Sequence, residues 1–293
     1  MIQLRATGIM QKSAILLLSC PDRKGVVARV AGFIFEHGGN ILHADEHGDP
    51  ASNTFLMRVE FDPSEFSVSL GEFSSRFAPV AKELELHWRL ALSDARPRMA
   101  IFVSKDDHCL VDLLYRHQRG ELKSEIPCII SNHQDSQRIA DFYHIPFFLV
   151  PVDKENKAAA EQQILAMLQR HEVDFIVLAR YMQILSDAFV NAYPRKIINI
   201  HHSFLPAFVG AKPYHQAFER GVKIIGATSH YVTNVLDDGP IIEQDVVRVT
   251  HRESVEDLMQ KGRDLEKVVL SRAVRWHIEN RVLVYGNKTV VFE

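Results

Sequence analysis

Ile197-Ile-Asn-Ile-His-His-Ser-Phe-Leu-Pro206 is an apolar run that ends in a cluster of polar side chains. The run reads as a buried strand. Asn199 and His201 stand at spacing i, i+2, which in extended chain places an amide and an imidazole on one face. About one structural unit later come Gly226-Ala-Thr-Ser-His230 and Asp237-Asp-Gly-Pro240. An amide that can hold an oxyanion, a histidine that can move a proton and a carboxylate that can orient or charge that histidine form a set suited to carbonyl chemistry.

Working outward from this strand, the preceding hundred residues alternate strands and helices. Strands are expected at Met99-Ala-Ile-Phe-Val, Ile126-Pro-Cys-Ile-Ile-Ser, Phe147-Phe-Leu-Val and Asp174-Phe-Ile-Val-Leu-Ala, with 197–200 as the fifth. Helices are expected at 109–119, 136–144, 158–171 and 185–193. That alternation implies a doubly wound, mostly parallel sheet, with the ligand site at the carboxyl ends of its strands. Near the C-terminus, Arg281-Val-Leu-Val-Tyr-Gly-Asn-Lys-Thr-Val-Val-Phe reads as a hairpin turning at Gly286-Asn287.

The first 92 residues follow another pattern. Ala14-Ile-Leu-Leu-Leu-Ser-Cys20 is a strand closed by Pro21-Asp-Arg-Lys-Gly25. Val26, Val27, Val30, Ile34 and Phe35 recur at helical spacing, and Gly38-Gly39 stops the helix. A second strand begins at Asn40, the stretch 47–53 has turn chemistry, 54–61 alternates as a third strand, a second helix ends near Leu84, and Glu85–Leu92 is the fourth strand. This is a βαββαβ, ferredoxin-like unit. Ser93-Asp-Ala-Arg-Pro-Arg98 is a linker, so the expected domains are 1–92 and 99–293.

Composition bounds the function. With 293 residues, 46% hydrophobic and 24% charged, the chain is ordinary globular protein, and a net charge of -3 gives no electrostatic footprint for nucleic acid. No apolar run is long enough to span a membrane, and the first residues do not read as a signal peptide, so a cytoplasmic protein is expected. Cys20, Cys109 and Cys128 are odd in number and scattered, matching neither a disulfide framework nor a zinc pattern; no metal site is expected.

Asn-Ile-His with Ser-Phe-Leu-Pro behind it, Gly-x-Thr-x-His, an Asp seven residues later, and Arg180-Tyr-Met-Gln-Ile-Leu-Ser186 together resemble the formyltetrahydrofolate-dependent formyltransferase superfamily over residues 98–290. Cys20-Pro-Asp-Arg-Lys-Gly25 and Glu36-His-Gly-Gly-Asn-Ile41 make the N-terminal unit resemble an ACT domain, a small-ligand regulatory module that commonly pairs. Three departures from the transferases matter. A phosphorylated acceptor needs a glycine-rich first strand-to-helix turn; this chain has Ser104-Lys-Asp-Asp-His-Cys109. The usual Asn-Ile-His-Pro-Ser is Asn199-Ile-His-His202-Ser. The ACT-like module is itself an addition. All three are similar to the deformylase family of that superfamily, and the resemblance implies hydrolysis of 10-formyltetrahydrofolate, as substrate, with no cofactor.

On that resemblance Asn199 stabilises the oxyanion, and His201 and Asp237 share the proton transfers, their order left open. Met182, Gln183, Ile184 and Leu185 would line the pterin slot. His202 and His230 are further substrate-side candidates, His230 equally able to position Asp237, and Asp238 belongs to a turn. Gln183 replaces an Arg frequent in the transferases. Lys212-Pro-Tyr-His215 is expected as a loop closing near the site. In the ACT-like unit, Asp22, Gly25, Gly39 and Asn40 are candidates for holding an amino acid such as methionine or glycine, and the unit is expected to make the protein a homo-oligomer. The alternatives are a formyltransferase with another acceptor and a non-catalytic folate sensor.

Overall fold

A computed structural model describes residues 12–69, 71–206 and 213–293. It divides into two compact units. One runs to Ala95 and includes Asn280–Leu283 and Val290–Glu293; the other comprises Arg96–Glu279 and Val284–Thr289. Two segments of the chain end, within the expected 99–293, thus lie with the first unit. The reason is a buried cation: Arg58, 5% exposed, donates through Nε to the Asn280 carbonyl at 3.1 Å, and Arg89 donates to the Asn280 side chain.

The first unit is a four-stranded antiparallel sheet, β2-β3-β1-β4, built from β1 (Ala14–Pro21), β2 (Asn40–Asp49), β3 (Thr54–Asp62) and β4 (His87–Leu92), with α1 (Val26–Glu36) and α2 (Phe73–Leu84). Alternate β1 residues, Leu16 and Leu18, join Val30, Phe33 and Ile34 of α1 in a core completed by Phe61, Phe73 and Phe77. Each such side chain, fully buried, contributes roughly 1.5–3 kcal/mol. The stop at Gly38 has the expected cause: Gly38 has φ 82, and Gly39 N–H returns to the Ile34 carbonyl at 2.9 Å.

Two boundaries differ from expectation. The second strand continues to Asp49, paired with Thr54, so the turn shrinks to residues 50–53. As the outermost strand, β2 is exposed along most of its length and tolerates Gly48 and its charges there. The fourth strand starts at His87 rather than Glu85, because Glu85 adopts φ 56 as the α2 cap.

The second unit has a seven-stranded sheet in the order β11-β10-β9-β8-β5-β6-β7. Its strands are β5 (Arg98–Val103), β6 (Glu125–Ser131), β7 (Phe147–Leu149), β8 (Phe175–Leu178), β9 (Ile197–His201), β10 (Ile224–Tyr231) and β11 (Ile241–Arg248). The first five in sequence are parallel; β10 pairs antiparallel with both β9 and β11. The strand order reverses between β5 and β8, the position at which doubly wound sheets open a crevice. The helices are α3 (His108–Gln118), α4 (Gln137–Phe142), α5 (Lys157–Arg170), α6 (Asp187–Ala192), α7 (Pro213–Arg220) and α8 (Val255–Ile278). The 24-residue α8 is closed at its start by a Ser254/Asp257 capping box and packs along β9, β10 and β11. β12 (Val282–Tyr285) and β13 (Lys288–Val291) form the terminal hairpin, with Gly286 at φ 54.

Candidate active site

β9 carries Asn199 and His201 on one face, as the spacing requires, and both line a pocket of about 390 Å³. The antiparallel register sets His230 directly beside Asn199 and Thr228 beside His201. Asp237 arrives on the loop between β10 and β11. That loop leaves β10 beside Ile198, where Val232 N–H meets the Ile197 carbonyl at 2.8 Å, and folds back towards His201. Asp237 Oδ2 lies 3.3 Å from His201 Nδ1 and Oδ1 lies 3.7 Å from His230 Nε2.

The hydrogen bonding assigns the tautomers. His230 Nδ1 is 3.0 Å from the Tyr231 carbonyl, which can only accept, so that nitrogen carries the proton. The lone pair at Nε2 then accepts from Asn199 Nδ2 at 3.3 Å, fixing the amide. Both His230 nitrogens are thus engaged by protein, and at 2% exposure it lines the pocket behind Asn199. His201 directs Nδ1–H to the Asp237 carboxylate. Its Nε2 is buried and has no partner among the described residues. Hydrogen bonding from His201 above all holds the Asp237 carboxyl far below the usual range despite partial burial, so it is ionised.

The apolar wall comes from the segment after β8. Its start is anchored where Met182 N–H donates to Ser104 Oγ at 2.9 Å, Ser104 itself donating to Asn132 Oδ1 at 2.7 Å. Its end is anchored by Glu161, which accepts from both the Ser186 N–H and hydroxyl. Ser186 caps α6, so this helix begins at Asp187 and residues 181–185 stay irregular, instead of the helix from Leu185 that was expected. Met182 and Ile184 are 60% and 62% exposed, and Val235 and Leu236 on the Asp237 loop are 61% each. These four line the pocket with Gln183 and Leu185 and make that wall largely apolar.

Arg180, Glu161 and Glu266 carry no sequence-based role, and Tyr214 only that of a loop expected to close near the site. Glu266 is 1% exposed on α8 and accepts from His108 Nε2 at 2.9 Å and Tyr214 Oη at 2.8 Å. It lies 3.6 Å from Arg180 Nε, and Arg180 also reaches Asp106 at 3.2 Å. Burial works to raise the Glu266 carboxyl, but His108 and Arg180 outweigh it and the pKa is lowered. The readable signal was position: Glu266 falls on the buried face of α8 with Leu258, Val269 and Ala273. Residues 213–215, expected as loop, open α7, and Lys212 lies outside the described residues. Asp238 does sit in a turn, its carbonyl accepting from Asn287 at 2.8 Å.

Ligand atoms of His108, Cys109 and Glu266 lie within 4.8 Å of one another. The set does not suit a cation. Glu266 already accepts from a histidine and a phenol and faces a guanidinium, and burial pushes the Cys109 thiol up so that it keeps its proton.

The N-terminal candidates do not converge within one chain. Asp22 and Gly25 precede α1, whereas Gly39 and Asn40 follow it, and 11 helical residues span about 16 Å. Gly39 has a packing reason, since a Cβ there would stand 2.7 Å from the Ile34 side chain.

The profile of the formyl transferase family matches residues 97–274, and that of the ACT domain matches residues 14–72. An ACT domain followed by a formyl transferase domain is thus the class that fold and site define. The chain is 57% identical to a formyltetrahydrofolate deformylase of Synechocystis over 96% of its own length and 98% of the relative's. The solved structure of a formyltetrahydrofolate deformylase from Pseudomonas syringae superposes with a TM-score of 0.95 at 48% identity, covering 99% of this chain and 97% of that one. The chain belongs to the formyltetrahydrofolate deformylase family. A glycinamide ribonucleotide transformylase from Symbiobacterium toebii, at 29% identity and TM-score 0.64, covers 68% of this chain against 95% of its own, leaving nearly a third of this chain without counterpart.

Proposed function

We propose that the chain hydrolyses 10-formyltetrahydrofolate to tetrahydrofolate and formate with the residues assembled on β9 and the Asp237 loop. The observation that carries this reading is the His201 imidazole, oriented through Nδ1 by an ionised Asp237, with an unpartnered Nε2 beside the Asn199 amide. The Nε2 lone pair of His201 takes a proton from water as its oxygen bonds to the formyl carbon. The carbonyl electron pair moves to oxygen, and Asn199 donates its free N–H to that oxyanion. Collapse breaks the carbon–nitrogen bond, and the proton on His201 passes to the departing folate nitrogen. Formic acid loses its remaining proton to solvent. Asp237 is too acidic to act first as the base; it stabilises the imidazolium. Metal polarisation is not required by the residues present, because the formyl group sits on an aniline-like nitrogen.

The acceptor side supports water over a phosphorylated amine. Asp106 is paired with Arg180 and Asp107 stands at the N-cap position of α3, so the turn after β5 places two carboxylates where a phosphate would have to approach. Incubation with 10-formyltetrahydrofolate alone should release formate at the rate of folate turnover. An absolute requirement for an added amine would overturn the reading.

We further read the N-terminal unit as an assembly and effector module. Support comes from the exposed edge strand β2 and from Phe35, 80% exposed on α1. An amino-acid effector such as methionine or glycine would meet the Asp22–Gly25 turn, and Gly39-Asn40 only from a second copy. Among the described residues no helix is long and apolar enough to cross a membrane. The cytoplasm is the compartment we assign, where the three buried free thiols keep their reduced state.

A further inference from the structure

His202 follows the general base directly and has no part in the steps above. Its ring lies beside that of His201, centroids 4.9 Å apart and planes 22° from parallel, and both line the pocket. His202 Nδ1 is 2.8 Å from an Arg180 guanidinium nitrogen. Guanidinium offers donors and no acceptor, so Nδ1 must present its lone pair and the ring proton must sit on Nε2. His201 has the reverse assignment, with its proton on Nδ1 towards Asp237. Two adjacent imidazoles therefore offer the pocket opposite chemistry at their ε nitrogens: a lone pair on His201 and a donor on His202.

This tautomer is held from behind. Arg180 is half-buried between Asp106 at 3.2 Å and Glu266 at 3.6 Å, and its backbone adopts φ 65, a conformation that persists where surroundings over-determine it. Glu266 is in turn held by His108 and Tyr214. The Tyr214 phenol reaches it because Gly262, one helical turn earlier, has no side chain; a Cβ there would lie 2.0 Å from the phenol oxygen. The surroundings also favour the neutral ring. Burial, with Arg180 and His201 beside it, pushes His202 down to about 4; Glu266 and Asp237 oppose this, and the Tyr214 ring lies 6.3 Å away.

We propose that His202 holds the attacking water: its Nε2–H donates to the water oxygen while the Nε2 lone pair of His201 receives the water's proton. The second lone pair of the oxygen is then left for the formyl carbon. Arg180 and Glu266 are positioning residues that act through His202. The proposal rests on the hydrolytic reading above and names what makes water the acceptor in that site. A water fixed by one donor and one base is a near-attack arrangement, whereas a mobile water must be ordered in each turnover.

The test compares His202→Asn with His202→Gln in the full chain. A glutamine amide nitrogen reaches the place of Nε2, while an asparagine amide reaches the place of Nδ1, towards Arg180. Asn should lower kcat about 100-fold, the loss that goes with one positioned donor, with KM for 10-formyltetrahydrofolate changed less than threefold. Gln should recover at least tenfold of that loss, which a merely structural role would not give. Independently of folding of the variants, 15N NMR of histidine-labelled wild type should show His202 with its proton on Nε2 at pH 7. Wild-type kcat in His202→Asn, equal loss in both variants, or an Nδ1–H tautomer would each overturn the proposal. A wild type that releases no formate would instead remove the hydrolytic reading itself.

Discussion

Gly239→Ala tests whether the Asp237 loop is held as tightly as catalysis needs. A Cβ at residue 239 would stand 1.7 Å from the Tyr231 carbonyl oxygen and 2.9 Å from its carbon. Relief to the 3.0 Å that real Cβ atoms keep requires a displacement of about 1.3 Å. The obstacle is backbone at the end of β10, where Tyr231 N–H is bonded to the Pro240 carbonyl at 2.9 Å, so the loop must give way rather than the strand. Two residues away, Asp237 meets His201 at 3.3 Å, and a shift of that size breaks the contact. Misplacement by about 1 Å can cost on the order of 100-fold in rate. Steady-state formate release should therefore fall by about that factor in kcat, while folate binding measured by fluorescence titration changes little. A Gly239→Ala enzyme within threefold of wild-type kcat would falsify the claim that loop placement sets Asp237.

Four other outcomes follow from the site and the first unit. Asn199→Ala, His201→Ala and Asp237→Ala should each lower kcat at least about 100-fold in the same assay with folate still bound; a variant near wild type removes its residue from the mechanism. Because the folded-state pKa of His202 is lowered from 6.5 to about 4, the unfolded chain takes up a proton first, and stability should fall as pH drops between those values. Urea titrations across that window should show a flatter dependence for His202→Gln, and an unchanged slope would contradict the assigned burial. Glycinamide ribonucleotide should neither bind at micromolar concentration in calorimetry nor be formylated. Light scattering should give a dimer or larger, and activity should respond to methionine or glycine in the wild type but not in Asp22→Ala; a monomer with no response would end the effector reading.

Much of this molecule is legible in the chain because it is local. The apolar runs that became β5 to β9 and the residues between them carry the periods of strand and helix, and the i, i+2 spacing already places Asn199 with His201. The N-terminal unit is read the same way, down to the glycine stop after α1. What escapes is whatever depends on a partner distant in sequence. Glu85 is a left-handed cap and not a strand start, a matter of two backbone angles that composition does not encode. Asn280 joins the first unit because Arg58, more than two hundred residues earlier, needs its carbonyl. Arg180 stood in a quoted motif with no role, because Glu266 and Asp106, which give it one, come from other elements. The effector candidates show the converse: Gly25 and Gly39 are close in sequence yet stand at opposite ends of α1.

Asp237 shows most plainly why proximity in sequence and reach in space part company. The strand that precedes it runs antiparallel to β9, so β10 ends beside Ile198, away from the His201 end. Any residue on the following loop must travel back along the sheet to meet His201, without a ladder of strand hydrogen bonds to place it. The chain meets this with point constraints: Val232 N–H on the Ile197 carbonyl, Tyr231 N–H on the Pro240 carbonyl, a glycine at 239 against the Tyr231 carbonyl, and Asp237 itself at φ 54. A left-handed aspartate is a strained choice that persists only where its surroundings fix it. Here they do, since the ionised carboxylate is bonded to His201 and the backbone is clamped on both sides. The antiparallel addition to the sheet thus supplies two things at once. Its strand sets His230 against the Asn199 amide, and its loop returns the carboxylate that sets the His201 proton, so Asn199 and His201 are both oriented by one β-hairpin.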